Sequence, residues 1–510
     1  MPELEVIIGL EVHAQMNTKT KMFCGCDNDA FGKPPNTTVC PICMGHPGTL
    51  PVPNGSAIEK AIRASLALQC SVNPTSHFDR KHYFYPDLPS GFQISQYDFP
   101  LASKGYLEFD LPLQALSPHP PLPAGRGGEI SKDHKTTNIP LPQQGEGLGV
   151  GAKCRIHRLH IENDAGKLMH VGDSTLCDYN RAGTPLMEIV TEPDLRSANE
   201  AVAFAEELRR TLIAINASEA DMFKGMMRFD ASISLREKGT EKLNPRSEIK
   251  NLNSFKSLEK ALQYEEARLR KLWEAEHGPL KGDITVGWMD DEEKTRMLRD
   301  KETADDYRYF PEPDIPPLVI DKKMLTGLQK DLPPLPRALK KQYLDMKLSN
   351  AEAETLIDQP EIRALFDTVT EKTKDAKRAS SLVLTQLIGF LNAHEKQPSD
   401  GPDAKELLEL VALIEAGTIS SNAAKEVLEE MVTSGTSAKE IVASKGMQQI
   451  SDTGALEELV KKAVAANPDA IASYKKGKTQ ALGAIVGWVM KETKGQANPA
   501  VVNELLMKYL

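Results

Sequence analysis

The sequence lacks any apolar run that approaches the roughly 20 residues of a membrane-spanning helix. Its acidic start, Met1-Pro2-Glu3-Leu4-Glu5, also lacks the basic and apolar stretches of a signal peptide. Aromatic residues are scarce at 5%, but 40% of all residues are hydrophobic, which is normal for a globular protein. We therefore expect a cytoplasmic chain without a membrane anchor, and its 510 residues predict several domains.

An excess of positive charge is also missing. The chain has 62 Lys and Arg residues against 72 Asp and Glu residues, which gives a net charge of −10. This balance argues against a protein that binds nucleic acid broadly and without specificity. It remains compatible with a local basic patch that holds one structured RNA.

The common nucleotide-binding motifs are absent as well. Gly477-Lys-Thr479 looks like the end of a phosphate-binding loop, but Ala472 stands where that loop requires its first glycine. The glycines of residues 147–152 imitate a dinucleotide fingerprint without a preceding strand or a following helix. They lie in a Pro- and Gly-rich stretch, residues 113–150, which we interpret as a flexible insertion. A nucleophile elbow is also lacking.

The patterns that are present predict an α+β domain followed by helical domains. Residues 1–330 consist mainly of short alternating segments, and Ser197–Glu200 forms a capping box ahead of an apolar helical stripe. A second helix is predicted from about Ser254 to Trp273. After a proline-rich linker the composition becomes helical, and we expect a helical domain over 331–440 and a helical tail domain over 441–510.

Four of the seven cysteines form a compact pattern. Cys24-Gly-Cys26 and Cys40-Pro-Ile-Cys43 give two tight pairs within residues 24–43. Four thiolates in two such pairs are typical of a closed, structural zinc site. The alternative is four unrelated buried thiols.

Several predicted strands carry acidic side chains on one face. Glu11 and His13 alternate with apolar residues in the segment 9–16, and Asp230 does so in the segment 227–236. If these strands pair in one antiparallel sheet, its polar face carries Glu11, His13, Glu162, Asp230 and Glu248. Carboxylates with nearby cations suit magnesium and nucleotide phosphates. The alternative is the solvated face of an open sheet.

The segments that carry these residues resemble the B-subunit family of the aspartyl/glutamyl-tRNA amidotransferases, the GatB family. The resemblance covers nearly the whole chain and rests on specific motifs: Ile8–Gln15, Cys40–Gly48, Arg80–Asp87, Gln93–Gln96, His160–Lys167, Asp178–Pro185, Glu248–Ser254 and Asp306–Asp314.

The resemblance implies a glutamine-synthetase-like antiparallel sheet, a cradle that binds ATP and Mg²⁺ and carries a zinc knuckle. It implies phosphorylation of the side-chain carboxylate of Glu on tRNA(Gln) or of Asp on tRNA(Asn), followed by amidation with ammonia. It further implies a heterotrimer, in which the amidase, or A subunit, supplies ammonia through a tunnel and a small C subunit holds the two together. The helical domains would hold the tRNA. A non-discriminating aminoacyl-tRNA synthetase is a further partner that the resemblance allows.

The resemblance also suggests roles for individual residues. It implies catalysis and magnesium binding by Glu11, His13, Glu162, Asp230 and Glu248. Lys81 is a candidate for the tunnel mouth or a phosphate contact. Lys250, Arg296 and Arg299 are candidates for nucleotide phosphate contacts, with surface salt bridges as the alternative. Independently of the resemblance, the local basic run of residues 474–478 makes Lys475, Lys476 and Lys478 candidates for RNA contacts, with a lysine-rich helix end or turn as the alternative.

Three other functions compete with this interpretation. A non-catalytic scaffold that only positions tRNA would favour basic residues over the acidic face. A small-molecule ligase would not need the long helical C-terminal part. An archaeal relative specific for Glu-tRNA(Gln) would carry a large synthetase-like insert, for which the sequence has no room.

Overall fold

The computed structural model describes residues 2–111, 150–300, 307–447, 453–475, 482–493, 497 and 499–509. The predicted insertion therefore lies outside the described residues, apart from residue 150. The chain divides into two compact units, Met1–Ala338 and Leu339–Leu510. No helix in the described part of the chain combines the length and hydrophobicity of a membrane span.

Strands and a few helices form the N-terminal unit. Its strands are β1 Leu4–Gln15, β2 Ser71–Val72, β3 Thr75–Ser76, β4 Asp79–His82, β5 Phe92–Ser95, β6 Ala102–Leu111, β7 Val150–Asn163, β8 Lys167–Val171, β9 Ser174–Asp178, β10 Pro185–Thr191, β11 Met227–Glu237, β12 Ser247–Leu252, β13 Ile284–Met289, β14 Lys294–Asp300, β15 Phe310–Pro311 and β16 Leu318–Val319. Its helices are α1 Gly55–Ala67, α2 Ala198–Ala214, α3 Phe255–Glu276 and α4 Lys322–Lys330.

Nine strands form one large sheet in the order β14-β13-β12-β11-β1-β10-β7-β6-β2. The predicted α+β class is thereby confirmed, and the strands predicted to carry the acidic residues all lie in this sheet. The expectation of a purely antiparallel sheet is wrong at one pair, because β12 and β13 run parallel. The chain crosses over through α3 between them, which is the connection that a parallel pair requires.

The central strand β1 shows why the two faces of the sheet differ. Its alternating Ile8, Leu10, Val12 and Ala14 are buried in the core, to which helices α1 to α3 contribute on the same side. The intervening residues, including Glu11 and His13, point to the opposite face. Burial of the apolar face fixes the register, since a shift by one residue would turn every side chain over.

Helices α2 and α3 begin where the sequence predicts. Ser197 caps α2 by accepting a hydrogen bond from the Glu200 amide, and Ser254 caps α3. The capping box differs in one detail, because the Glu200 carboxylate accepts from the Arg196 amide instead of that of Ser197. Both caps satisfy amide groups that the first helical turn leaves free.

The C-terminal unit is helical in all its described elements. Helix α5, Pro336–Asp345, spans the boundary between the units, and the others are α6 Asn350–Asp358, α7 Pro360–Thr373, α8 Ala376–Ser380, a π-helical turn Ser381–Leu387, α9 Ile388–Ala393, a 3₁₀ turn Pro398–Asp400, α10 Ala404–Glu415, α11 Ser421–Ser434, α12 Ala438–Lys445, α13 Thr453–Ala466, α14 Pro468–Lys475, α15 Leu482–Glu492 and α16 Pro499–Tyr509. Its buried side chains form two hydrophobic clusters, at 339–442 and 456–506. The predicted division near residue 440 stays a prediction.

Candidate active site on the polar face

The register of the large sheet aligns the polar side chains in rows that run across the strands. One row joins His160 of β7, Glu188 of β10, His13 of β1 and Arg228 of β11. The next joins Arg158, Val190, Glu11 and Asp230 on the same four strands. A third joins Glu162, Leu186 and Gln15. We call this surface the polar face.

Glu188 lies at the centre of the polar face, between two histidines. Its Oε2 lies 3.4 Å from His13 Nε2 and 3.3 Å from His160 Nε2. His160 Nε2 is also 3.8 Å from Glu162 Oε2, which accepts a hydrogen bond of 3.0 Å from Ser95 Oγ of β5. His13, Glu162 and Glu188 each place one ligand atom within 4.8 Å of the other two. This spacing would suit one metal ion.

Burial and charge act against each other in this group. Burial disfavours the charged form of His160, but Glu188 and Glu162 outweigh it and raise its pKa to about 9. Burial likewise opposes the charge of His13, and the hydrogen bond to Glu188 raises its pKa nonetheless. The same contacts hold the pKa of Glu188 well below its usual value, although burial alone would raise it. The cluster is therefore a tightly coupled set of charges.

A second acidic group lies beside the first. Asp230 Oδ2 and Glu248 Oε1 are 3.2 Å and 3.0 Å from the Lys250 ammonium. Burial first, and then the charges of Glu188, Glu248 and Asp230, raise the pKa of Glu11. The five predicted magnesium ligands thus share one face but form two groups, and Lys250 holds the carboxylates of the second.

Lys81 reaches the polar face from a separate small sheet, β15-β4-β5. Its ammonium lies 4.9 Å from the centre of the Tyr307 ring. Burial disfavours its charge, but the charge of Glu162 and other nearby groups raise its pKa. Tyr309 stacks on Tyr97 at 4.4 Å between ring centres, so aromatic residues form a wall beside Lys81. The structure therefore brings Lys81 next to the predicted metal ligands.

A cavity of about 390 Å³ opens on the polar face next to Glu11. Gly9, Val190, Ser232 and Arg246 are among the residues that line it. Its volume is within the range of small-molecule sites, about 300–1,000 Å³. The cavity and the carboxylates are continuous, since Glu11 belongs to both.

The remaining cations predicted to contact phosphate or RNA are not part of the metal cluster. Arg296 of β14 occupies the row of Lys250, with Gly287 between them, but it is exposed and pairs with Glu292. Arg299 lies on β14 opposite Thr285, and its side chain is outside the described part of the structure. Lys475 ends α14, also without a described side chain. Lys476 and Lys478 lie outside the described residues.

The four clustered cysteines converge as the sequence predicts. One sulfur atom of each lies within 4.8 Å of the other three, and Cys43 Sγ is 3.9 Å from Cys40 Sγ. Sulfurs around one tetrahedral zinc, each bonded at about 2.3 Å, are separated by about 3.8 Å. Hydrogen bonding, first from the Cys24 thiol, lowers the pKa of Cys43 to about 5. The Lys21 ammonium, fully buried, lies 3.8 Å from Cys43 Sγ. The donor set therefore fits a metal ion.

Two central side chains, Glu188 and His160, are not among the site residues predicted from the sequence. Leu186 and Val190, which share a face with Glu188, are apolar, so alternation along Pro185–Thr191 does not mark Glu188 as a site residue. Only the pairing of β10 with both β1 and β7 shows that it lies between His13 and His160. That pairing joins residues far apart in the chain, and no local pattern encodes it.

Comparisons with known proteins agree across the whole chain. A family model described as the GatB/GatE catalytic domain matches residues 6–326, and one described as a GatB domain matches residues 364–510. Relatives named as B subunits of aspartyl/glutamyl-tRNA(Asn/Gln) amidotransferase are similar over full length. The protein of Moorella thermoacetica is 42% identical and that of Persephonella marina 44% identical, each over 100% of both chains. That of Thermotoga maritima is 41% identical over 99% of this chain and 98% of its own.

Proposed function

Because the chain belongs to the GatB family, we propose that it is the B subunit of a tRNA-dependent amidotransferase and carries the activation step of that reaction. The polar face would phosphorylate the side-chain carboxylate of Glu on tRNA(Gln), of Asp on tRNA(Asn), or of both. Ammonia from an amidase partner would then form the amide. The observation that carries the proposal is the convergence of His13, Glu162 and Glu188 beside a cavity of ligand size.

The chemistry of the carboxylate explains why activation is needed. A carboxylate cannot lose oxide, so ammonia alone does not displace its oxygen. In the proposed step a carboxylate oxygen attacks the γ-phosphorus of ATP, the bond to the bridging oxygen breaks, and ADP leaves. Ammonia next attacks the carbonyl carbon of the acyl phosphate. Phosphate leaves, and the nitrogen loses one proton to give the amide.

The polar face offers separate places for the reacting groups. The nucleoside would lie in the cavity beside Gly9 and Ser232, with its phosphates toward Glu11. His13, Glu162 and Glu188 would hold Mg²⁺, which supplies charge compensation to the phosphates when bound. Lys250 and, at the sheet edge, Arg296 would bind phosphate oxygens. Nucleotide and metal would thus lie side by side on antiparallel strands, which supports the glutamine-synthetase-like interpretation.

The acceptor carboxylate and the ammonia would arrive at the metal cluster from the side that lies away from the nucleotide cavity. Lys81 and the aromatic wall of Tyr97 and Tyr309 border the metal cluster there. The Lys81 ammonium would orient the side-chain carboxylate of the aminoacyl-tRNA. Neutral ammonia would reach that carboxylate by the same route, past Lys81 and the aromatic wall. The zinc knuckle, formed by the four clustered cysteines, would be structural, since four thiolates leave no open ligand position.

The chain would assemble with an amidase, the A subunit, and a small C subunit in a heterotrimer, and the naming of the relatives as B subunits supports such a complex. The helical unit would hold the body of the tRNA. The competing function is a scaffold that binds tRNA and leaves activation to a partner. The buried, coupled carboxylates favour catalysis, because a surface for RNA phosphates would carry cations instead.

Amidation by the reconstituted complex tests the proposal. The complex is supplied with Glu-tRNA(Gln) or Asp-tRNA(Asn), ATP, Mg²⁺ and ammonium chloride, so that glutamine hydrolysis is not needed. We expect Glu11→Gln and Asp230→Asn to reduce amide formation by at least about 100-fold. Their affinity for tRNA should stay close to that of the wild type.

The matched control is Glu237→Gln, which removes an exposed carboxylate at the end of β11. It should amidate normally. If Glu11→Gln and Asp230→Asn also amidate normally, the polar face is only a solvated sheet surface and the scaffold function replaces ours.

A further inference from the structure

Arg158, on β7, lacks a partner in the described part of the protein. Its Nε is buried without a hydrogen bond, and it forms no ion pair with any described carboxylate. Two other cations of the polar face are paired, Arg228 with Asp164 and Lys250 with Asp230. Arg158 is half-buried, and burial of its Nε without a hydrogen bond costs free energy. An anion from outside the described residues would satisfy this group.

The register places Arg158 on the polar face, in the row of Glu11. It shares a row with Val190, Glu11 and Asp230, so its Cα lies about 10 Å from that of Glu11, two strands away. Along β7 it lies two residues, or about 7 Å, from His160. Val190, directly opposite Arg158, lines the cavity next to Glu11. Arg158 thus lies beside a lining residue of the cavity and two residues along β7 from His160 of the metal cluster.

Arg158 also acts on the other side of the site. Burial raises the pKa of Tyr309 to about 12, against the charge of Lys81 and, less strongly, that of Arg158. Tyr309 belongs to the aromatic wall beside Lys81. The guanidinium is therefore close enough to the aromatic wall for its charge to act on Tyr309. In the proposed reaction, the phosphoryl group in transit would supply such an anion.

We propose that Arg158 is a catalytic residue that binds the phosphoryl group as it moves from ATP to the carboxylate of the aminoacyl-tRNA. This assignment rests on the proposed function. The carboxylate oxygen forms a bond to the γ-phosphorus while the bond to the ADP oxygen breaks, and ADP leaves with the electron pair. Arg158 gives up no proton in this step. Its planar donors match the phosphoryl oxygens and hold them between the nucleotide and the acceptor.

The test compares Arg158→Gln and Arg158→Lys with the wild type in the complete complex. The rate of ADP formation with saturating aminoacyl-tRNA and ammonium chloride is measured beside the Kd for ADP and for the aminoacyl-tRNA. We expect kcat to fall about 100- to 1,000-fold in Arg158→Gln. The kcat of Arg158→Lys should lie between those of the wild type and Arg158→Gln, since an ammonium keeps the charge but loses the planar fork. Both Kd values should stay close to wild type.

Lys153→Gln is the matched control, because it removes another cation of β7 whose ammonium lies over the Tyr106 ring. It should leave kcat unchanged. A wild-type kcat in Arg158→Gln would overturn the assignment. If the variant also binds tRNA more weakly, Arg158 contacts the tRNA backbone instead of the phosphoryl group. If the wild-type complex forms no ADP in response to aminoacyl-tRNA, the proposed function fails as well.

Discussion

At the scale of single residues, the site depends on charges that the sheet buries together. Glu188 accepts from two histidines, and Glu162 lies within reach of one of them. Apart from the pair of His160 and Glu162, these contacts join residues that are far apart in the chain, so alternation predicts which face a residue occupies but not which residue it meets. Glu11 and His13 were predictable as face residues for this reason, whereas the central role of Glu188 was not.

Glu188→Gln should weaken metal binding most strongly. The variant keeps the size of the side chain but loses the charge that both His13 and His160 contact. We expect the affinity for Mn²⁺, used as a probe for Mg²⁺, to fall by about 100-fold or more, since loss of a supporting residue alone costs about 10- to 100-fold. Paramagnetic resonance titration measures it, with Glu237→Gln as the control. Equal Mn²⁺ affinity in both variants would contradict the metal site.

Asp164→Asn should reveal a buried charge pair through pH. Burial disfavours the charge of Asp164, but Arg228 at 2.6 Å and Arg181 outweigh it and lower its pKa to about 2. A carboxylate whose pKa is lowered in the folded protein stabilises the fold at pH values above its unfolded-state pKa of about 4. This stabilisation is lost as the pH falls toward 2. We expect the variant to be less stable at pH 7 by about 2 kcal/mol.

Urea unfolding measures this difference in a Trp488→Phe background, where fluorescence reports only Trp273 and Trp288 of the N-terminal unit. The difference between wild type and variant should shrink to about half near pH 3. A difference that is the same at pH 7 and pH 3 would show that the pair does not act through its charge.

At the scale of elements, the central strands and the knuckle were the parts most accessible to prediction. The alternation of β1 and β11 and the spacing of the four cysteines are local patterns, and each determines a local structure. The parallel step from β12 to β13 was not predictable, because it depends on where α3 returns the chain. Arg296 likewise reaches the row of Lys250 only through that step.

Removal of the knuckle cysteines should release zinc and destabilise the N-terminal unit. We expect about one zinc ion per wild-type chain and almost none in the Cys40→Ser/Cys43→Ser double variant, since a tetrahedral site loses half of its ligands. Its melting temperature should fall as well, because a structural metal contributes to folding. Metal analysis by mass spectrometry and calorimetry provide the two measurements.

Cys177→Ser is the control, since Cys177 lies on β9, apart from the knuckle cysteines. It should keep its zinc. Full zinc content in the double variant would show that the metal lies elsewhere or that the cysteines do not bind it.

At the scale of the whole molecule, the two compact units suggest two separate functions. Every predicted catalytic residue lies in Met1–Ala338, and the helical unit has hydrophobic clusters of its own. The α+β class with a following helical region was predictable from composition, because the helical periodicity after residue 335 is pronounced. The finer boundary near 440 depends on long-range packing, for which composition is a weak guide.

A chain of residues 1–338 should therefore separate nucleotide binding from tRNA binding. We expect it to bind ADP and Mn²⁺ with nearly the affinity of the full chain and to bind tRNA much more weakly. Calorimetric titration and filter binding measure the two. Unchanged tRNA affinity would place the RNA contacts in the N-terminal unit and contradict the role proposed for the helices.

The central claim, that this protein activates a carboxylate by phosphorylation, is tested most directly by tracing oxygen. Aminoacyl-tRNA whose side-chain carboxylate carries heavy oxygen is amidated by the complex with ATP and ammonium chloride, and the released phosphate is analysed by mass spectrometry. An acyl phosphate requires one heavy oxygen atom in each phosphate formed with an amide. Amide formed together with unlabelled phosphate would contradict the account, since the carboxylate oxygen would then never have been bonded to phosphorus.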